Sequence, residues 1–226
     1  MNAKASWFAL TVVATTLLFA LAAWAHDLGA GADANGKRPM RVLLALPQDA
    51  VIYNADAAAL IREGVPEKFG TEEWTAIVLT HEFHQHVGIY TLLGAKMAVR
   101  ARELLGAPMR AVEVTAETTR QQPFACMIDG LQVGLGSTLG QNLIEVPEGG
   151  TPAVAARFYF GGHTIRLSLK PEYSERLAAI ISDARAAHGD LTPAYFEAVE
   201  KASYGVWKDF DRKEIFEVED LPQAKE

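Results

Sequence analysis

Residues 81–106 read HEFHQHVGIYTLLGAKMAVRARELLG. From about Val87 to Leu105 the apolar side chains return at helical spacing. Ile89, Leu92, Leu93, Met97 and Leu104, with Arg100 among them, mark one stripe, and Gly94, Ala95, Ala98 and Ala101 keep the neighbouring surface small. Gly106, with Pro108 two residues on, ends the pattern. A helix over this span needs other elements to cover it, and the flanking sequence supplies them in mixed order. Before it, Asp56–Glu63 reads as a helix and Pro66–Thr71 as a break, while Glu73–Leu79 is apolar but too short for pattern to separate helix from strand. After it, Ala111–Glu117 alternates like a half-buried strand and Phe124–Leu135 reads as a second core helix. Leu143–Val146, Ala153–Phe160 and His163–Leu169 are strand candidates, the last two joined by Gly161-Gly162 as a two-residue hairpin turn. A helical pattern follows Pro171 as far as about His188, another starts at Leu191-Thr-Pro193 and fades near Gly205, and Ile215–Val218 is a closing strand. The expected class is α+β: an antiparallel or mixed sheet packed with helices in one core domain over residues 40–220, with a polar tail at 221–226.

The amino end reads differently. Lys4 precedes an apolar stretch from Trp7 to Ala22, and Ala23-Trp24-Ala25 has the small-x-small form that a signal peptidase accepts. About sixteen apolar residues fall short of the ~20 that span a bilayer, so residues 1–25 are expected to be a cleaved signal rather than a stable membrane anchor. Ala30-Gly31-Ala32 offers a second place for the cut. Residues 26–39 are rich in Gly, Ala, Asp and Asn without apolar period, and read as a linker; Arg41–Leu46 is the first strand candidate. A secreted, periplasmic protein is the expectation.

Of 226 residues, 21 are Lys or Arg and 28 are Asp or Glu, for a formal charge of −7. That balance argues against nucleic acid as a partner, because such binding rests on a surplus of cations set against phosphates. With one cysteine, Cys126, neither an intrachain disulfide nor a four-cysteine zinc knuckle forms.

Three of the six histidines, His81, His84 and His86, stand immediately before the clearest helix. Imidazole is the commonest metal ligand, but residues two apart share a side only on extended backbone. His84 and His86 are therefore expected to share an ion only if the helix has not begun, and Gly88 loosens the junction. His81 is less well defined by its position, and Glu82 could hold one imidazole in a fixed tautomer. The zincin spacing is absent, since it needs a second histidine four residues after the first and Gln85 stands there. Helix-capping or partly buried histidines fit the pattern too. Cys126 lies near the start of its helix, where the macrodipole favours thiolate, and it reads as a metal ligand, a reactive group or a small buried side chain. Asp129, three residues on, shares its helical face. Gly134, Gly136, Ser137, Thr138 and Gly140 form a glycine- and hydroxyl-rich turn that could cradle an anion.

Three blocks taken together, His84-Gln-His86-Val-Gly88-Ile-Tyr90-Thr-Leu-Leu-Gly94-Ala-Lys-Met97, Pro123-Phe-Ala-Cys126-Met-Ile-Asp129-Gly130-Leu-Gln132 and Gly136-Ser-Thr138-Leu139-Gly140, resemble the core of the FmdE family of formylmethanofuran dehydrogenase proteins. The resemblance covers about residues 75–220, with Ile215–Val218 similar to the family's last strand. It implies an α+β core, an intertwined homodimer, and a cleft in which His84, His86 and Cys126 hold a transition metal, most naturally zinc, lined by Glu82, Asp129, Ser137 and Thr138. Two imidazoles and a thiolate suit zinc and leave one position open. The chain departs from the family where Gln85 replaces the usual glycine, Ile89 a proline, Ser137 a second cysteine and Gln141 a lysine, and it lacks the cysteine-rich carboxy-terminal finger of some members. A metal-binding accessory or carrier is the first functional expectation. A metal-assisted hydrolase or lyase, and a module that binds a small-molecule metal complex or tetrapyrrole, are the alternatives.

Overall fold

The computed structural model describes Leu46, Pro47 and residues 49–222. Two units divide the chain, Met1–Pro47 and Gln48–Glu226, and every element described here belongs to the second. The expected signal and linker lie outside the described residues, as does the Arg41–Leu46 strand apart from Leu46, which sits in no element. No helix among the described residues is long and apolar enough to cross a membrane.

Helix α1, Ala55–Arg62, starts where the Asn54 side chain accepts the Ala57 N–H at 2.8 Å. The expected break over residues 66–71 is instead a short helix α2, Val65–Phe69, because Pro66 falls in its first turn, where a missing N–H costs nothing. Gly70, at φ 89°, separates it from α3, Thr71–His84, which settles the undecided stretch as helix and runs on into the histidine motif. Then come α4, Ile89–Leu105, strand β1, Glu113–Ala116, and α5, Met127–Leu135, led in by a 3-10 turn at Phe124–Cys126. The chain continues through β2, Ile144–Glu145, β3, Ala155–Phe160, and β4, His163–Leu169. Helices α6, Pro171–His188, and α7, Pro193–Asp209, precede β5, Phe216–Leu221, which reaches three residues beyond the expected strand.

The strands form one sheet in the order β2-β1-β3-β4-β5. Only the β1–β2 pair is parallel, with Val114 opposite Ile144, so the sheet is mixed and the domain α+β as expected. Gly161 and Gly162, at φ 59° and 85°, make the β3–β4 hairpin turn with the positive φ at both positions that matches strand twist. Alternate residues Val114, Ala116, Ala156, Phe158, Ile165 and Leu167 are buried and join Leu92, Leu93 and Met97 of α4 in one apolar core. The other face carries a ladder of ion pairs: Glu117 receives Arg157 and Arg166 at 2.7 Å each, and Arg166 reaches Glu219 at 2.7 Å.

Two features fix what surrounds the histidines. The first is the crossing of α4 and α5, so close that a Cβ on Gly94 would stand 2.0 Å from the Met127 carbonyl oxygen and one on Gly130 2.1 Å from that of Thr91. Only glycine allows the backbones to meet there. The second is a buried ionic cluster. The Lys96 ammonium donates to Glu73 Oε1 at 2.5 Å with both side chains fully enclosed, and Arg212 spans Glu73 Oε2 at 2.9 Å and Glu103 Oε1 at 2.5 Å. The Arg212 guanidinium also donates to the Phe69 carbonyl at 2.6 Å, tying the segment after α7 to the end of α2.

Candidate metal centre

The site is built on the end of α3. His84 is its last residue, Gln85 follows in the left-handed region at φ 69°, and the chain turns so that the rings of His84 and His86 come within 4.4 Å centroid to centroid. Pattern alone required extended backbone for the pair to meet. The structure reaches the same end with one residue in the helix and one outside it, the reversal at Gln85 replacing the strand. That conformation costs a residue with a Cβ about 1 kcal/mol, and the Gln85 amide donates to the Glu82 carbonyl at 2.5 Å to hold it.

The α4–α5 crossing brings Asp129 against this corner. Its Oδ2 lies 2.7 Å from His84 Nδ1, with the imidazole 12 % and the carboxylate 28 % exposed. An ionised carboxylate only accepts, so Nδ1 carries the proton and Nε2 is left with its lone pair. That Nε2 is buried and has no hydrogen-bond partner. Glu82, the carboxylate expected to fix an imidazole, is exposed on α3, and Asp129 does that work instead.

His81 lies one turn earlier on α3 and is buried, 5.8 Å from the Trp207 ring. Its Nε2 lies 3.2 Å from the Thr91 hydroxyl, which donates to the Gly88 carbonyl at 2.7 Å. With its one proton engaged there, the hydroxyl accepts from His81 Nε2–H, and Nδ1 is left bare. It too is buried without a partner. Burial, opposed by the Gly88 carbonyl, holds the His81 pKa down at about 4, so this ring is neutral at ordinary pH. A bare buried acceptor costs about 1–3 kcal/mol, and this corner holds two.

Cys126 caps the start of α5 and is half-buried and free of disulfide. Burial first, and then the neighbouring Asp129 charge, push its thiol pKa up. This overturns the expectation of a thiolate favoured by the helix start, since desolvation and a like charge outweigh the dipole of a helix only nine residues long. No group of three His, Cys, Asp or Glu among the described residues is already gathered as a ligand cage. Ser137, expected to line the cleft, is fully buried and donates to the Val112 carbonyl at 2.6 Å, so it serves the core. Thr138 is half-buried at the head of the Leu139–Gln141 3-10 turn, whose own backbone bonds close it on the Thr138 carbonyl.

α7, a segment whose sequence pattern carries no functional signal, packs on this corner through Trp207 against His81. Burial, and then the His84 charge, push the His86 pKa down, partly offset by Glu200 of α7. Burial, and then Tyr195 of α7, push the Tyr90 hydroxyl up to about 12, and the Tyr90 ring packs on Phe124 at 4.6 Å. These contacts pair helices distant in sequence, and no spacing rule announces them. A separate open cleft of about 1100 Å³, lined by Glu113, Arg120, Arg157 and Tyr159 among others, includes none of the histidines.

The family model described as FmdE, molybdenum formylmethanofuran dehydrogenase operon, matches residues 83–205. The chain belongs to the FmdE family. Among solved structures it is similar to a tungsten formylmethanofuran dehydrogenase FmdE-like protein from Syntrophus aciditrophicus, at 19 % identity over 64 % of this chain and 68 % of that one, with a TM-score of 0.40. No curated protein matches the chain. The FmdE match takes in His84, His86, Cys126, Asp129 and Glu200, whereas His81 and Trp207 lie outside it. The left-handed φ at position 85 is one that glycine would adopt without cost, so the glycine that the family resemblance leads one to expect there fits this backbone.

Proposed function

We propose that this FmdE domain binds a transition-metal ion, zinc foremost, through His84 and His86 with Cys126 as a third donor, in an accessory or carrier role. The observation that supports the reading is the His84–Asp129 pair. The carboxylate fixes the tautomer, raises the basicity of the opposite nitrogen, and leaves a buried lone pair with nothing to accept, which is the arrangement of a metal-ligating histidine. Two adjacent imidazoles and one thiol suit zinc as a donor set. With three protein donors, the ion would keep an open position at which to polarise a ligand or acidify water.

This chain's own residues have distinct tasks. Asp129 orients His84. His86, exposed beyond Gln85, has freedom to adjust its ring. Cys126, with its raised pKa, must release a proton to become a donor, so loading is accompanied by proton release and strengthens as pH rises. The test is metal content after zinc reconstitution and dialysis of the purified protein. About one zinc per chain, lost in His84→Gln, supports the reading; a wild type that retains none overturns it.

The proposed setting is outside the cytoplasm, on the strength of the amino-terminal sequence, and the proposed assembly is a homodimer. Cell fractionation with amino-terminal sequencing tests the first, with a mature start after Ala25 or Ala32 expected. Equilibrium sedimentation tests the second.

A further inference from the structure

The last turn of α3 carries an imidazole that the metal-binding reading leaves idle. We propose that His81 is an additional metal donor of the same site, presenting its Nδ1 from one helical turn before His84; the inference rests on that reading.

His81 and His84 are three residues apart, so they share a face of α3. The same separation in Glu-x-x-His pairs lets one helix place two ligands on one metal. Each ring is locked by a different neighbour, and each lock leaves a different nitrogen bare: Asp129 holds His84 Nδ1–H and frees Nε2, while Thr91 holds His81 Nε2–H and frees Nδ1. Both free nitrogens are buried and without partner, and His81 as a residue is only 7 % exposed. A cation satisfies the lone pairs of both. His86 is the exposed and adjustable member, so a fixed pair on the helix and a third ring that turns in on loading accounts for a site with no ready-made group of three among the described residues. Thr91 and Asp129 are then positioning residues with parallel roles. His81 lies outside the residues of the FmdE match.

The experiment is a zinc titration of the full-length chain, labelled with 15N in histidine and first stripped with chelator, followed in long-range 1H–15N spectra. Before zinc, His81 is expected to show an unprotonated Nδ1 and His84 an unprotonated Nε2. Zinc should shift both together. His81→Gln keeps a donor towards Thr91 and should weaken zinc binding by about tenfold or more. Thr91→Val, which leaves the imidazole but frees its tautomer, should weaken it less. A His81 Nδ1 resonance unmoved while His84 Nε2 shifts, or His81→Gln binding within about twofold of wild type while His84→Gln does not bind, overturns the proposal and leaves the metal reading standing. Zinc that binds neither wild type nor any variant overturns both.

Discussion

Replacing Gly130 by alanine tests whether the α4–α5 crossing positions the site as well as filling the core. The added Cβ would stand 2.1 Å from the Thr91 carbonyl oxygen, 2.4 Å from the Ala95 nitrogen and 2.8 Å from the Gly94 carbonyl carbon, all backbone atoms that cannot swing aside. To reach even 3.0 Å from the oxygen, the helices must part by about 0.9 Å. Overpacking of this kind costs about 1–3 kcal/mol. The shift also loads the neighbouring residue: if it is passed on in full, the 2.7 Å Asp129–His84 bond stretches to about 3.6 Å, beyond hydrogen-bonding range. Losing a charge-assisted bond there adds about 1.5–3 kcal/mol, so the expected destabilisation is about 2.5–6 kcal/mol. Urea denaturation measures it, with Gly140→Ala as control, because a Cβ at 140 meets nothing closer than 3.9 Å. The same preparation, 15N-labelled in histidine, reports whether His84 keeps its proton on Nδ1. A Gly130→Ala protein within about 1 kcal/mol of wild type, with the His84 tautomer unchanged, would refute the claim that backbone contact at this crossing sets the site.

Further expectations concern single residues. His81 stays neutral in the folded chain down to about pH 4, whereas the unfolded chain titrates near the ordinary histidine value, so the unfolded state binds the extra proton. Metal-free protein should therefore lose about 2 kcal/mol of stability as pH falls from 7 to 5, and His81→Gln should flatten that slope in denaturation curves taken across the window; an equal slope in both proteins counts against a buried neutral His81. At Gln85, glycine should raise stability by up to about 1 kcal/mol and valine should lower it, since a β-branched residue tolerates the left-handed region worst; thermal melts of the two variants rank them. Glu73→Gln leaves Lys96 and Arg212 buried around a neutral side chain and should cost about 3–5 kcal/mol by chemical denaturation. A cost below about 1 kcal/mol would mean that the cluster is open to water.

Local chemistry made much of this fold legible. The hairpin turn needed two residues with positive φ and the sequence offers Gly161-Gly162; α4 needed an apolar stripe and a stop signal, and both are present in residues 87–108. What local pattern concealed was set by partners far away. Glu73–Leu79 has no decisive period because its helix is enclosed on several sides, by Trp207 stacked on Trp74 and by Lys96 and Arg212 meeting Glu73. Proline at 66 reads as a break until its place in the first turn of α2 is known. In the site, His84, His86 and Asp129 were legible as a group through their motif, but their division of labour was not. Which carboxylate meets which imidazole depends on the rotation of α5 against α3, and that rotation follows from a glycine contact no single residue type announces. Ser137 and Cys126 were misjudged for one reason: a polar atom on a turn reads as available until burial is known, and burial here gives the hydroxyl to a backbone carbonyl and denies the thiol its charge.

The Arg212 bridge also has a consequence for the order in which the protein can be made. Its bond to the Phe69 carbonyl spans 143 positions, and Asn54 reaches Tyr204 across 150. As the chain leaves the ribosome, Glu73 and Lys96 emerge early and can pair at once, but the second cation for that carboxylate, Arg212, arrives only 139 residues after Glu73. Until then α3 and α4 lack both their ionic closure and the α7 aromatic face that covers Trp74 and His81. A chain with such distant closing contacts completes its core late, which leaves the nascent histidine corner open until α7 has been made and encloses it only when that helix docks.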